Sequence, residues 1–358
     1  MSKQTHQPAA ACCVRALALS ALLISCFSTA PAQAQVPASD DVSRAIDRGV
    51  AYLTARVQDD GSIANSRRYP VASTSLAIMA YTAVGHQPTD LTPQGKVLRD
   101  ALRYILSEEL QTAEGYYGRA DNSRMYGHGI TTLMLCEMLG MGIDQEQDRQ
   151  IRDRAERAID LILKAQAVKK RSDQYRGGWR YEPSSTDADL SITVWQVMAL
   201  RAGKSAGIDV PAQAIDDAVA YLERSYKQTG RETGGFGYEP GQHPRYATTA
   251  AGLLAMQVCG RYEHEQVVGA ARFLRELGPQ PHEQWFFYGS YYYAVGMDQT
   301  GKDHGDHAAS RIWDVLSRMQ RSDGSWAGRS HETDPVYATS MALLALSVRY
   351  HYLPIYQR

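Results

Sequence analysis

The chain has 358 residues, 44% hydrophobic and 22% charged, which is enough material to bury a large core. With 38 Lys and Arg against 39 Asp and Glu, the formal net charge is −1, so no electrostatic argument favours nucleic acid or an anionic membrane surface as a partner. The sequence carries 22 Tyr against 5 Phe. A buried Tyr needs a partner for its hydroxyl, so this bias points to aromatic surfaces that stay wet at one end.

Residues 1–34 read as a targeting segment. Lys3 and Arg15 are its charged side chains, an apolar run extends from Ala16 to Phe27, and Ala32-Gln33-Ala34 is an A-x-A cleavage site. That predicts an exported protein, periplasmic or extracellular, with a mature chain starting near Gln35. Leu23-Ile24-Ser25-Cys26 also fits a lipobox, and in that reading Cys26 carries a lipid anchor. Residues 35–44 read as a short linker and 45–358 as one domain. No later stretch reaches the ~20 apolar residues that span a bilayer. Beyond the leader only Cys136 and Cys259 remain, both in apolar helical runs, where a thiol acts as a small hydrophobe.

Residues 45–53 read AIDRGVAYL and 214–222 read AIDDAVAYL, the mark of an internal repeat. Ile46, Gly49, Val50 and Leu53 match Ile215, Ala218, Val219 and Leu222 at helical spacing, and further copies begin near Leu98, Ala155, Val267 and Ile312. A turn rich in Gly and aromatics follows each, as in Gly115-Tyr116-Tyr117-Gly118, Gly177-Gly178-Trp179 and Asp323-Gly324-Ser325-Trp326. The fifth turn diverges, as Trp285-Phe286-Phe287-Tyr288. Second helices then align, with Ala72, Gly129, Ser191, Ala247, Gly289 and Ala338 in one column. Thr74, Thr131, Thr193, Thr249, Tyr291 and Ser340 form another, two positions on. Small residues let inner helices approach closely, and hydroxyls can bond open backbone groups of the first turn. Twelve helices in six alternating pairs predict an all-α fold, an (α/α)6 toroid closed into a ring.

The loop Gln320-x3-Gly324-x-Trp326, with the looser Gln58…Gly61 and Gly177-Gly178-Trp179 copies, resembles the QW signature of the prenyltransferase and squalene-cyclase repeat superfamily. In particular the chain is similar to exported bacterial proteins of the prenyltransferase/squalene-oxidase repeat type, in the stretch 189–200 and the closing 353–358. The resemblance covers roughly residues 45 to 350 and implies the toroid, while activity depends on site residues. The D-x-D-D-T-A motif of squalene-hopene cyclases falls on Asp189-Leu190-Ser191-Ile192-Thr193, where the alkene-protonating position is Ser191, which cannot do that chemistry. The zinc site of protein prenyltransferases needs D-x-C and a later His; the sequence has no D-x-C and no His near Tyr337-Ala338. The complement-type thioester motif G-C-G-E-Q is also missing.

In a toroid the starts of the inner helices and the loops before them line one mouth of the central cavity. Tyr126, His128, Asp187, Asp189 and Asp334 are therefore the candidate catalytic residues, and His243, Tyr246, Trp285, Tyr288 and Tyr337 the candidate ligand-binding ones. Aromatic platforms with separated carboxylates suit sugars, and two carboxylates across a cavity are what glycoside hydrolysis needs. Each has a structural reading beside it: Asp187 and Asp189 as helix caps, His128 as a hydrogen-bonded wall residue. Asp303-His304-Gly305-Asp306-His307 has metal-ligand chemistry but lacks a distant ligand, and neither metal nor cofactor is assigned. The primary reading is a protein that binds a small-molecule, glycan or protein ligand in its central cavity. The alternatives are a carbohydrate-active hydrolase or lyase and a terpenoid cyclase-like enzyme.

Overall fold

The computed structural model describes residues 40–65, 68–329 and 331–354. The leader, with its cleavage site at Ala34 and the lipid site at Cys26, lies outside them, as do residues 355–358 of the closing stretch. Twelve α-helices occupy the described residues as six consecutive pairs. These are α1 (Asp40–Thr54) with α2 (Pro70–Ala83), α3 (Pro93–Ile105) with α4 (Arg124–Glu137), and α5 (Gln145–Ala167) with α6 (Leu190–Ser205). They continue as α7 (Ala212–Ser225) with α8 (Tyr246–Val258), α9 (Glu265–Leu277) with α10 (Phe286–Thr300), and α11 (Lys302–Met319) with α12 (Pro335–Leu346). A short antiparallel hairpin, β1 (Tyr226–Gln228) with β2 (Gly234–Phe236), follows α7. Helix α1 begins at Asp40, inside the stretch read as linker, so the first repeat starts five residues earlier than position 45.

The two members of each pair differ in their apolar pattern. α1 buries Ile46, Gly49, Val50 and Leu53 on one face, as an outer helix must. α8 is buried at every residue from Tyr246 to Val258, the signature of a helix covered on all sides. The inner helices pack in ring order, α2 on α4, α4 on α6, α6 on α8, α8 on α10, α10 on α12, and α12 back on α2. The ring is closed. No helix among the described residues is long and apolar enough to cross a membrane.

The turn between the helices of a pair is fixed by three repeated contacts. First, a backbone N–H in the turn donates to a side chain of the inner helix: Ile63 to Thr74 (2.9 Å), Trp179 to Thr193 (3.1 Å), Phe236 to Thr249 (3.2 Å) and Trp326 to Thr339 (3.0 Å). Second, the indole N–H of Trp179 and of Trp326 closes the end of its own outer helix, on the carbonyls of Ile162 (2.8 Å) and Leu316 (2.9 Å). Third, the Gln amide reaches the next outer helix, Gln111 to Arg154 O, Gln166 to Ala214 O and Gln320 to Ala45 O. The last of these joins the sixth repeat to the first. Gly324, at φ +87°, packs so tightly on that seam that a Cβ would sit 2.4 Å from the carbonyl oxygen of Arg48.

These contacts correct the expected column of hydroxyls. The turn of the second repeat, through Tyr117 N–H, donates to His128 Nδ1 (3.4 Å), not to Thr131, and in the sixth the acceptor is Thr339, one residue before Ser340. Thr131 bonds Ser75 of the neighbouring inner helix instead (2.9 Å). Phe286, Phe287 and Tyr288 are the first turn of α10, not loop.

Candidate functional site

The amino ends of the inner helices open on one end of the ring, and each leaves N–H groups that helix geometry cannot satisfy. The following repeat supplies the acceptors. Met125 N–H of α4 donates to Tyr181 O (3.0 Å), and Leu190 N–H of α6 to Tyr238 O (2.8 Å). For α2 the acceptor is the carboxylate of Asp121, which takes Val71 and Ala72 N–H (3.0 and 3.1 Å). For α10 it is Glu332, which takes Phe287 and Tyr288 N–H (2.9 and 2.8 Å). The mouth is thus woven from one repeat to the next.

Asp189 is the N-cap of α6 and is 0% exposed. Its Oδ1 accepts from Ile192 N–H (3.0 Å) and the Ser191 hydroxyl (2.6 Å), while Oδ2 has no hydrogen-bond partner and faces Arg180 Nε at 3.6 Å. Burial pushes its carboxyl pKa up, against the pull of Ser191, Ile192 N–H and Arg180. Arg180 organises the surrounding rim. It pairs with Glu239 (2.6 Å), stands 3.9 Å from Asp187, and lies over the rings of Tyr181 and Tyr238, whose hydroxyls bond each other at 2.8 Å. Asp187 also pairs with Arg171 at 3.3 Å.

Tyr126, at the start of α4, extends across the axis and meets Tyr288 of α10 edge to face, centroids 6.5 Å apart. Tyr288 in turn touches Tyr292 (4.7 Å), and Trp195 of α6 stacks on Tyr291 (6.2 Å) and abuts Tyr292 edge-on (5.6 Å). The axis is therefore filled by side chains at this level, where an open cavity was expected. The hydroxyls of Tyr288 and Tyr292 and the indole N–H of Trp195 are buried there without a hydrogen-bond partner. Tyr337 of α12 is half-buried beside this cluster, its hydroxyl pKa raised by burial and by the charge of Glu332. Glu332 is itself buried, and its carboxyl is pushed up to about 7 by desolvation.

The expected residues therefore divide. Tyr126, Asp187, Asp189, Tyr288 and Tyr337 come together at the mouth. His128 does not: fully buried, it accepts from Tyr117 N–H through Nδ1 and donates to Ala158 O through Nε2 (3.1 Å), and burial lowers its pKa to about 4. It is a neutral wall residue. Tyr246 is buried between α8 and α10, where its ring would meet any Cβ on Gly289 at 2.6 Å. Asp334 caps α12 through Val336 N–H (2.8 Å). His243 lies exposed in the loop before α8, and Trp285 is 43% exposed, stacked on His331 at 4.8 Å. Sequence reasoning missed Arg180, Tyr181, Tyr238, Asp121 and Glu332.

Among the described residues no group of three or more His, Cys, Asp and Glu side chains could hold a metal ion. In the stretch from Asp303 to His307, Asp306 is taken by Lys302 (2.8 Å) and Arg349, and Arg275 lies beside both histidines, whose pKa values are lowered chiefly by burial. Cys136 and Cys259 are free thiols, both raised by burial.

No protein-family model matches the sequence, and no curated protein does. Solved structures match over most of the chain. A variant of the type II terpene cyclase MstE from Scytonema, in complex with geranylgeranyl dihydroxybenzoate, is 15% identical with a TM-score of 0.55, over 87% of this chain and 98% of that one. A glycosidase variant in complex with glucose is 11% identical, TM-score 0.57, over 88% and 98%. A D-mannose isomerase is 10% identical, TM-score 0.58, over 88% and 100%. At these identities the likeness is one of fold, and enzymes of different chemistry share it. The chain is an α/α toroid of six helix pairs.

Proposed function

We propose that this is an exported toroid, a divergent member of the prenyltransferase/squalene-cyclase repeat superfamily, that binds a hydroxylated ligand of the sugar class across its mouth. The superfamily reading is supported by the Gln320, Gly324 and Trp326 contacts, which tie the turn to its own and the next outer helix. Export rests on the leader reading of residues 1–34. The observation that carries the binding reading is the contact of Tyr126 with Tyr288 across the axis. It leaves an isoprenoid no open lumen at this level, and it turns the polar, aromatic rim toward solvent. Half-buried Tyr181, Tyr238 and Tyr337 offer ring faces and hydroxyls, and Asp187 and Arg180 offer charged hydrogen-bond partners, the combination that suits sugar rings.

Saturation-transfer NMR with a panel of neutral oligosaccharides tests this. Binding lost in Tyr181→Ala and Tyr238→Ala supports the reading. Binding of a polyprenyl lipid with no response to any glycan sinks it.

One observation favours a second reading, glycoside hydrolysis. Asp189 and Glu332, on different repeats, are both buried carboxyls with raised pKa values, and both act on the cluster of Tyr126, Tyr288 and Tyr337. Both are also committed to backbone N–H groups as caps, which favours binding over turnover. Release of reducing ends that vanishes in Glu332→Gln, with the fold intact, would establish hydrolysis instead.

A further inference from the structure

A pocket of about 300 Å³ lies at the opposite end of α10, between α10, α11, α12 and the start of α1. Asp298 lines it, ten residues along α10 from Tyr288, which places it about 15 Å along the axis from the mouth. It is open because Ala294, Gly305, Ala309 and Ala345 face it from three helices, and one side is the indole of Trp313. Its volume is that of about ten liquid waters and sits at the low end of ligand pockets. None of these residues is used by the mouth.

The polar end of the pocket determines what fits. Arg349 pairs with Asp306 through Nη2, while its Nε is buried with no acceptor. Asp306 also holds Lys302 at 2.8 Å, and Asp298 stands 3.7 Å from His351. An anionic ligand would meet two carboxylates already in place. A cationic one would meet the guanidinium. A neutral oxygen escapes both penalties and gives the under-used guanidinium an acceptor, and the apolar wall then covers the rest of the molecule.

We propose that this pocket binds a small neutral amphiphile, an apolar body bearing a hydroxyl or carbonyl, with the oxygen on Arg349 and the body against Trp313. The experiment is calorimetric titration of the full chain with 1-octanol, octanoate and octylammonium, three probes that share one apolar body. Saturable binding of 1-octanol, about tenfold tighter than either ion, is the expected result. Ala309→Trp, which fills the pocket, abolishes it. Arg349→Lys keeps the charge but loses Nε and the planar fork, and weakens it several-fold, so the idea stays testable should the bulkier variant fail to fold. No saturable binding of 1-octanol, tighter binding of either ion, or 1-octanol binding that both variants leave unchanged would each overturn the assignment.

Discussion

Tyr126 and Tyr288 belong to helices on opposite sides of the inner ring, yet their rings touch edge to face at 6.5 Å. Such a contact is favourable by itself, about 0.5–1.5 kcal/mol beyond the area buried. It comes at a cost to the hydroxyls beneath, because Tyr288 and Tyr292 end in buried oxygens without partners.

Removing one of those oxygens should stabilise the protein. Tyr292→Phe keeps the ring against Trp195 and Tyr288 and deletes only the unpaired hydroxyl, so a gain of about 1 kcal/mol is expected. Urea unfolding would show it as a higher midpoint at unchanged slope. A loss of similar size would mean that the hydroxyl has a partner in solution, which a bound ligand or water would supply.

Two glycines with similar backbone angles should respond differently to alanine. Gly140 has φ +82° and open space where a Cβ would go, so Gly140→Ala should cost about 1–2 kcal/mol of left-handed strain. Gly324 has φ +87° and the Arg48 carbonyl in the way, so Gly324→Ala should cost that strain plus a displaced seam, about 3 kcal/mol or more. Equal costs would show that the closing contact contributes nothing.

Protonation of Glu332 and His128 should act on stability in opposite directions. Glu332 titrates near 7 in the fold against 4.5 unfolded, so between those values the native state holds the extra proton and stability falls as pH rises. The full shift is worth roughly 3 kcal/mol. His128 titrates near 4 in the fold against 6.5 unfolded, so over that window the unfolded state holds the extra proton and stability rises with pH. The two slopes offset each other from about pH 4.5 to 6.5. Glu332→Gln removes one of them, and unfolding free energies of the variant should climb across that range more steeply than those of the parent. Parallel curves would show that Glu332 is already ionised in the fold.

Arg180 and Asp189 should be coupled. Arg180→Gln leaves a fully buried carboxylate without its cation and should cost about 2 kcal/mol near neutral pH. Asp189→Asn added to it should recover part of that loss, since a neutral amide still accepts from Ile192 N–H. A double-mutant cycle with no interaction energy would place the worth of Arg180 in its other partners, Glu239, Asp187 and the rings of Tyr181 and Tyr238.

The helix pairs were legible because each outer helix carries a period of 3.6, as Ile46, Gly49, Val50 and Leu53 show, and because Gln320, Gly324 and Trp326 punctuate the turn. The hydroxyl register was half legible. Thr193 and Thr249 were placed correctly, but counting back from the helix body failed where the second repeat uses His128 as its acceptor. The mouth was least legible, because its bonds run between repeats. Nothing near Glu332 in sequence reveals that it faces the first turn of α10, 45 residues earlier. Nor does any pattern around Tyr126 indicate a ring reaching it from across the axis.

Closure by Gln320 on Ala45 and by α12 on α2 has a consequence for how the chain is made. An open array can stop at any unit with a polar cap at each end, but a ring has no end units to protect. During synthesis the side of α1 and α2 that the last pair will cover stays bare until α11 and α12 emerge. The first repeat is thus the last to be finished. Losing the chain from Lys302 onward would strip both neighbours of the gap, and a nascent chain paused there would present two apolar flanks, each shaped to accept a helix pair, including one from another copy.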